Sequence, residues 1–69
     1  MFTAFVRYYD GTEQFIATSK SFEEVNFYAQ ARTKDDRHIK LYWIQDQTKK
    51  TIRAGCYCTA GYIVEWAVE

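Results

Sequence analysis

The sequence has few of the residues that mark several classes of protein. Its 69 residues include no proline, three glycines, two cysteines and one histidine. Basic and acidic residues number nine each, so the formal net charge is zero. A protein that binds nucleic acid by neutralising phosphates normally has an excess of basic residues. The overall charge therefore argues against that class.

Membrane, secretion and metal signals are missing as well. No stretch comes near the roughly 20 apolar residues of a membrane-spanning helix, and the N-terminus has no basic region followed by an apolar run. Cys56 and Cys58 would point to the same face of a strand about 7 Å apart, which does not suit a disulfide. His38 cannot complete the four ligands of a zinc site with them. We predict reduced, buried thiols, no cofactor and no metal, and a cytoplasmic location, which means the host cytoplasm if the protein is phage-encoded.

The sequence carries no recognisable catalytic motif. The sequence contains no nucleophile elbow and no glycine loop for phosphate. His38 has Arg37 and Lys40 as neighbours, which is typical of a surface position. Asp35 and Asp36 are consecutive and diverge in direction, so they indicate the solvated end of a helix. We predict that the protein is not an enzyme.

Aromatic residues are abundant, at 19% of the chain. The first of them lie in a predicted hairpin. Asp10-Gly11 predicts a two-residue type I′ turn between strands Phe2–Tyr9 and Thr12–Ser19. Such a turn pairs Val6 with Phe15 and Ala4 with Ala17. One face of this hairpin is then expected to be core, with Phe2, Ala4, Val6, Phe15 and Ala17.

A helix follows the hairpin. Ser21 and Glu24 have the spacing of a capping box, which predicts a helix over Phe22–Lys34. Its apolar stripe would contain Phe22, Val25, Tyr28 and Ala29. Phe27 falls nearly opposite the stripe. It is either an anchor for a partner or a second protomer, or a ring that is partly covered by the chain after the helix, or a single exposed ring without a role.

Three further strands complete the expected fold. Strands His38–Gln45 and Lys50–Cys58 flank a polar turn, and Gly61 supplies the left-handed residue of a three-residue turn before the last strand. The result is a single α+β domain over residues 1–69, with the order ββαβββ and a five-stranded, mainly antiparallel sheet under one helix. The predicted core face of these strands contains Ile39, Leu41, Trp43, Ile52, Ala54, Cys56, Cys58, Tyr62, Val64, Trp66 and Val68.

The other face of the sheet is expected to be open and rich in rings. Tyr42 and Arg53 would be cross-strand neighbours in a cation–π contact. The open face is predicted to carry Phe5, Arg7, Tyr9, Ile16, His38, Lys40, Tyr42, Ile44, Arg53, Tyr57, Ile63 and Glu65. Tyrosine, arginine and large apolar groups are enriched at binding hot spots. The predicted partner-binding residues are therefore Phe5, Arg7, Tyr9, Phe27, Lys40, Tyr42, Arg53 and Tyr57.

The sequence favours a small protein-binding domain that acts on a larger protein or complex as a steric inhibitor or adaptor. Phages encode many inhibitors of this size, anti-CRISPR proteins included. This expectation rests on size and composition and on no sequence motif. The alternatives are a single-stranded nucleic-acid-binding protein, whose bases would stack on the rings, and a homodimeric structural or regulatory subunit.

Overall fold

The computed structural model describes residues 1–68. The strands are β1 (Phe2–Tyr8), β2 (Glu13–Ser19), β3 (Ile39–Gln45), β4 (Thr51–Tyr57) and β5 (Ile63–Ala67), and the helix α1 spans Phe22–Asp35. The predicted order ββαβββ and the α+β class are confirmed. The strands form one antiparallel sheet in the order β2-β1-β3-β4-β5. Helix α1 packs mainly against β1, β2, β3 and β4, and it contacts the edge strand β5 through Gln30 and Glu65.

The three hairpins share one type of turn. In each, three residues lie between the two that close the turn, and the third has a positive φ: Gly11 at 92°, Lys49 at 66° and Gly61 at 97°. The bonds from Tyr8 N to Thr12 O and from Gly11 N to Tyr8 O define the first turn. The two-residue type I′ turn was therefore wrong, whereas the turn at Gly61 is confirmed.

Helix α1 begins where the cap predicted it. Ser21 Oγ accepts a hydrogen bond from the backbone N–H of Glu24 at 3.2 Å, and the helix continues one residue beyond the predicted end. The buried residues on α1 are Val25, Ala29 and Thr33. Tyr28 is 47% exposed, so its predicted place in the buried stripe was wrong.

The core lies between α1 and the sheet. Ala4, Val6 and Ile39 are buried there as expected. Tyr42 and Ile44 are also buried there, with no exposed surface. Their predicted position on the open face was wrong.

Three β-bulges explain the faces that were assigned wrongly. The strand pairings skip Ile16 in β2, Lys40 in β3 and Ile52 in β4. A single extra residue moves the following side chains to the opposite face of the sheet. As a result Phe15 faces away from the helix, and Ile16 packs against the core.

The bulge at Lys40 has the largest consequence. It lets Ile39 and Tyr42 face the helix although they are three residues apart. The three-residue turn between β3 and β4 and the bulge at Ile52 then pair Tyr42 with Gly55 and Trp43 with Ala54, instead of Trp43 with Ile52. The ring of Tyr42 lies directly over Gly55, so the absence of a side chain at Gly55 makes room for a tyrosine in the core.

Candidate functional site: the ring face

A row of rings crosses the sheet on the face away from α1. Paired positions align Phe15 of β2 with Phe5 of β1, Phe5 with Trp43 of β3, Trp43 with Ala54 of β4, and Ala54 with Trp66 of β5. Residues that pair directly across strands share a face. We call this face the ring face, and its four aromatic residues the ring row: Phe15, Phe5, Trp43 and Trp66.

The centre of the ring row is closely packed. Phe5 and Trp43 stack with their centroids 5.4 Å apart and their planes 18° apart. Phe15 meets Phe5 edge to face at 6.2 Å. Ala54 is only 7% exposed although it lies outside the core cluster under the helix. The two ends of the row remain open: Phe15 is 54% and Trp66 45% exposed.

The ring face carries little net charge. The Arg7 guanidinium lies 5.3 Å from the centroid of the Trp43 ring, and it donates to Glu13 Oε2 through Nε at 2.9 Å and Nη2 at 2.6 Å. Arg7 and Glu13 are cross-strand partners, so the Glu13 carboxylate neutralises the charge of the Arg7 guanidinium. On the other side of the ring row the paired positions are uncharged, with Thr18, Thr3, Gln45 and Thr51.

Much of the ring face was predicted to be core. The pairings of Ala54 with Trp66 and of Cys56 with Val64 are confirmed, but this side of β4 and β5 faces away from α1. Phe15, Leu41, Trp43, Ala54, Cys56, Val64 and Trp66 were therefore assigned to the wrong side of the sheet. Cys56 and Cys58 are free thiols of intermediate burial rather than fully buried ones.

Sequence reasoning thus missed three of the four rings as surface residues. The signal that could have revealed them is Gly55. An isolated glycine within a strand indicates close approach of another group. If the group that approaches Gly55 is taken to be the ring of its cross-strand neighbour Tyr42, then Tyr42 lies in the core and Trp43 lies on the outer face.

The eight predicted partner-binding residues are dispersed over the molecule. Phe5 and Arg7 lie on the ring face, as expected. Phe27 is exposed on the outer side of α1, Tyr9 is exposed in the first turn and Lys40 at the bulge of β3.

The other three were assigned to the wrong face. Tyr42 is inside the core. Arg53 and Tyr57 are on the same side of β4 as Gly55, toward the helix layer, although Tyr57 is 44% exposed. Ile63 and Glu65 on β5 pair with Tyr57 and Gly55, so they also lie on the side of the sheet opposite the ring row.

A polar network holds Tyr42 in the core. Gln30 Nε2 donates to the Tyr42 hydroxyl at 3.0 Å, and that hydroxyl donates to Glu65 Oε2 at 3.4 Å. Gln30 also contacts Glu65 directly. Arg53 Nη1 donates to Glu65 Oε1 at 2.8 Å, and its guanidinium lies over Phe22 at 5.2 Å. The predicted cation–π contact of Arg53 with Tyr42 was wrong, because Phe22 is the ring involved.

The Tyr42 network predicts a dependence of stability on alkaline pH. Burial, together with the Glu65 carboxylate, raises the pKa of Tyr42 above its ordinary value of 10.0. The unfolded chain then loses this proton at lower pH than the folded chain does, so stability is present below pH 10 and declines above it. We expect the Tm to fall more steeply above pH 10 in the natural protein than in Tyr42→Phe. Equal slopes in melts followed by circular dichroism would contradict this coupling.

A second surface feature lies at the helix C-terminal end of the molecule. Tyr9, Arg37, Tyr57 and Gly61 are among the residues that line an open groove of about 280 Å³. The volume is slightly below the range of about 300–1,000 Å³ that is usual for small-molecule sites. No residue of the ring row lines this groove.

Two further features are absent from the described part of the chain. Within residues 1–68, no three His, Cys, Asp or Glu side chains are grouped so as to hold a metal ion. Over the same range, no helix is long and apolar enough to cross a membrane.

No protein-family model matches this chain, and comparisons with curated proteins and with solved structures gave no match either.

Proposed function

We propose that this protein is a non-enzymatic protein-binding domain that covers an apolar surface of a larger protein with its ring face. It acts by occlusion, as a steric inhibitor or adaptor, in the cytoplasm. The observation that carries the proposal is the ring row, whose two open ends, Phe15 and Trp66, have no role in the core. Aromatic residues and arginine dominate the energetics of protein interfaces. An inhibitor of phage origin, such as an anti-CRISPR protein, fits this mode of action.

The charge of the ring face favours a protein partner over nucleic acid. Bases could stack on Trp66 or Phe15, but affinity for nucleic acid comes largely from cations that contact phosphates. Arg7 is the cation beside the ring row, and Glu13 already binds it. A protein surface of apolar groups with few charges is the better complement.

Self-association is the second candidate, and the same neutrality favours it. Two ring faces could meet without net repulsion, and small domains often gain stability as dimers. A five-stranded face of about 24 Å by 23 Å offers roughly 550 Å² per copy. A standard interface buries about 800 Å² per partner. The flat face alone thus falls short of a standard interface with either a second copy or a foreign partner, so neighbouring surfaces must contribute.

A matched pair of variants tests the proposed function. Phe15→Ser/Trp66→Ser removes the open ends of the ring row. Phe27→Ser/Tyr28→Ser removes two comparably exposed rings from α1, whose centroids are 5.7 Å apart. We expect the natural protein and the α1 variant to capture the same partner from host lysate. The ring-face variant should recover at least about tenfold less, because each hot-spot ring contributes about 2 kcal/mol or more.

The α1 variant and the oligomeric state of the chain each provide a result that can contradict the proposed function. Loss of the partner with the α1 variant alone would transfer the site to Phe27 and refute the ring face. Light scattering of the purified chain decides the second candidate: a dimer that the ring-face variant abolishes would replace the foreign partner by a second copy.

A further inference from the structure

The two edges of the sheet differ in how well they are protected against strand pairing. The β2 edge has a bulge at Ile16 and begins with the charged Glu13. The pairing of β5 with β4 is regular from Ile63 to Ala67, and β5 contains no lysine and no proline. Natural proteins usually guard exposed edges with bulges, lysine or proline. β5 has one charged residue, Glu65, but no bulge, lysine or proline, so it is the less protected edge.

The hydrogen bonds of β5 show which backbone groups point outward. Cys58 N donates to Tyr62 O, and Val68 N donates to Ile52 O. Hydrogen-bonded pairs alternate along an antiparallel ladder, so the even-numbered residues of β5 bond to β4. The backbone N–H and C=O groups of Ile63, Glu65 and Ala67 therefore face away from the sheet.

The side chains of β5 define what an added strand would contain. Val64 and Trp66 belong to the ring face and are 40% and 45% exposed. Glu65 points to the other face, where its carboxylate accepts hydrogen bonds from Arg53, Gln30 and Tyr42 and the side chain is 37% exposed. A carboxylate can accept further bonds. Apolar side chains would extend the ring row beside Val64 and Trp66, and a basic one would lie opposite Glu65.

We propose that β5 accepts an extended segment of the partner with the pattern apolar–basic–apolar, which pairs antiparallel with this edge. The inference rests on the proposed function, since the added strand continues the ring face and supplies the area that the flat face lacks. A second copy of β5 fits less well. When two β5 strands pair symmetrically and antiparallel through all three outward residues, the two Glu65 carboxylates lie directly opposite each other. Like charges in that position are destabilising.

A short peptide tests this inference without the partner. The probe is the capped heptapeptide acetyl-Ser-Thr-Val-Lys-Val-Thr-Ser-amide, titrated into the isotope-labelled full chain and followed by amide NMR. We expect half-saturation at roughly 1 mM, the weak end of measurable binding. The outward amides of Ile63, Glu65 and Ala67 should shift and exchange more slowly with solvent. The amides of Val64 and Trp66, which already bond to β4, should gain much less protection.

Charge supplies the control. A peptide with glutamate in place of its lysine should bind roughly two- to fivefold more weakly, as expected for a cross-strand ion pair. In Glu65→Gln, which keeps the shape of the side chain but leaves the Arg53 guanidinium without its carboxylate, this preference should disappear or reverse. If Glu65→Gln does not fold, the two peptides on the natural chain still decide the question.

Three results would overturn the proposal: no shift of the β5 amides, shifts confined to β2, or protection of Ile63 and Glu65 that grows with protein concentration without peptide. The last result would assign the edge to a second copy. If the peptide does not bind but the ring-face variant still loses its partner, only the proposal of an added strand is refuted. If the peptide binds but the ring-face variant captures the partner as well as the natural protein does, the proposed function is refuted instead.

Discussion

Gly55→Ala is expected to unfold the protein or to cost about 3 kcal/mol of its stability, the upper part of the range for overpacked cores. A Cβ atom at Gly55 would lie 2.5 Å from Cζ and from Oη of Tyr42. The Tyr42 ring cannot move aside easily, because it is fully buried and its hydroxyl is held by Gln30 and Glu65. A domain of this size has only about 3–10 kcal/mol to lose. Urea unfolding followed by tryptophan fluorescence measures the effect.

Gly11→Ala is the matched control for this result. Gly11 has a φ of 92°, and nothing lies within 4 Å of an added Cβ. Its replacement carries only the backbone strain of about 1–2 kcal/mol. Tyr42→Leu should recover part of the stability of Gly55→Ala, since leucine lacks the ring atoms that clash. Gly55→Ala no more costly than Gly11→Ala would show that Tyr42 does not depend on Gly55.

Trp43→Ala is expected to cost about 2–3 kcal/mol, somewhat below the loss for a fully buried tryptophan. Trp43 stacks on Phe5, lies beneath the Arg7 guanidinium and neighbours Ala54. Its removal exposes Ala54 and leaves Phe5 without its stacking partner. Trp43→Phe keeps an aromatic ring in place and should lose about half as much. Urea unfolding followed by circular dichroism measures both.

The ends of the ring row should behave differently from its centre. Trp66→Ser is expected to cost about 1 kcal/mol or less, because substitutions of exposed side chains outside the core have small effects. A cost for Trp66→Ser equal to that for Trp43→Ala would mean that the whole row serves stability. The contrast between centre and end therefore separates a structural ladder of rings from a surface kept for binding.

Local chemistry was predictable from the sequence. The cap at Ser21, the left-handed Gly61 and the register of β4 with β5 each depend on a few neighbouring residues, and all three are confirmed. Hydrophobic alternation also grouped Trp43, Ala54 and Trp66 correctly on one face. What local patterns could not decide was which face α1 covers.

The wrong faces have a physical cause. In β3, Tyr42 and Ile44 are as apolar as Leu41 and Trp43, so alternation gives no preference for either set. The decision comes from distant partners: Val6 and Gly55 flank Tyr42 in the sheet. Bulges add to the problem, since one extra residue such as Ile16 inverts the face of its neighbours and leaves no clear signal in the sequence.

Side-chain footprinting of the chain, free and bound to its captured partner, tests the ring face most directly. Hydroxyl radicals modify exposed rings, so protection of a ring reports contact. The account predicts that Phe15 and Trp66 lose most of their reactivity in the complex, while Phe27 and Tyr28 on α1 keep theirs. Protection of Phe27 and Tyr28 with Phe15 and Trp66 still reactive would contradict it.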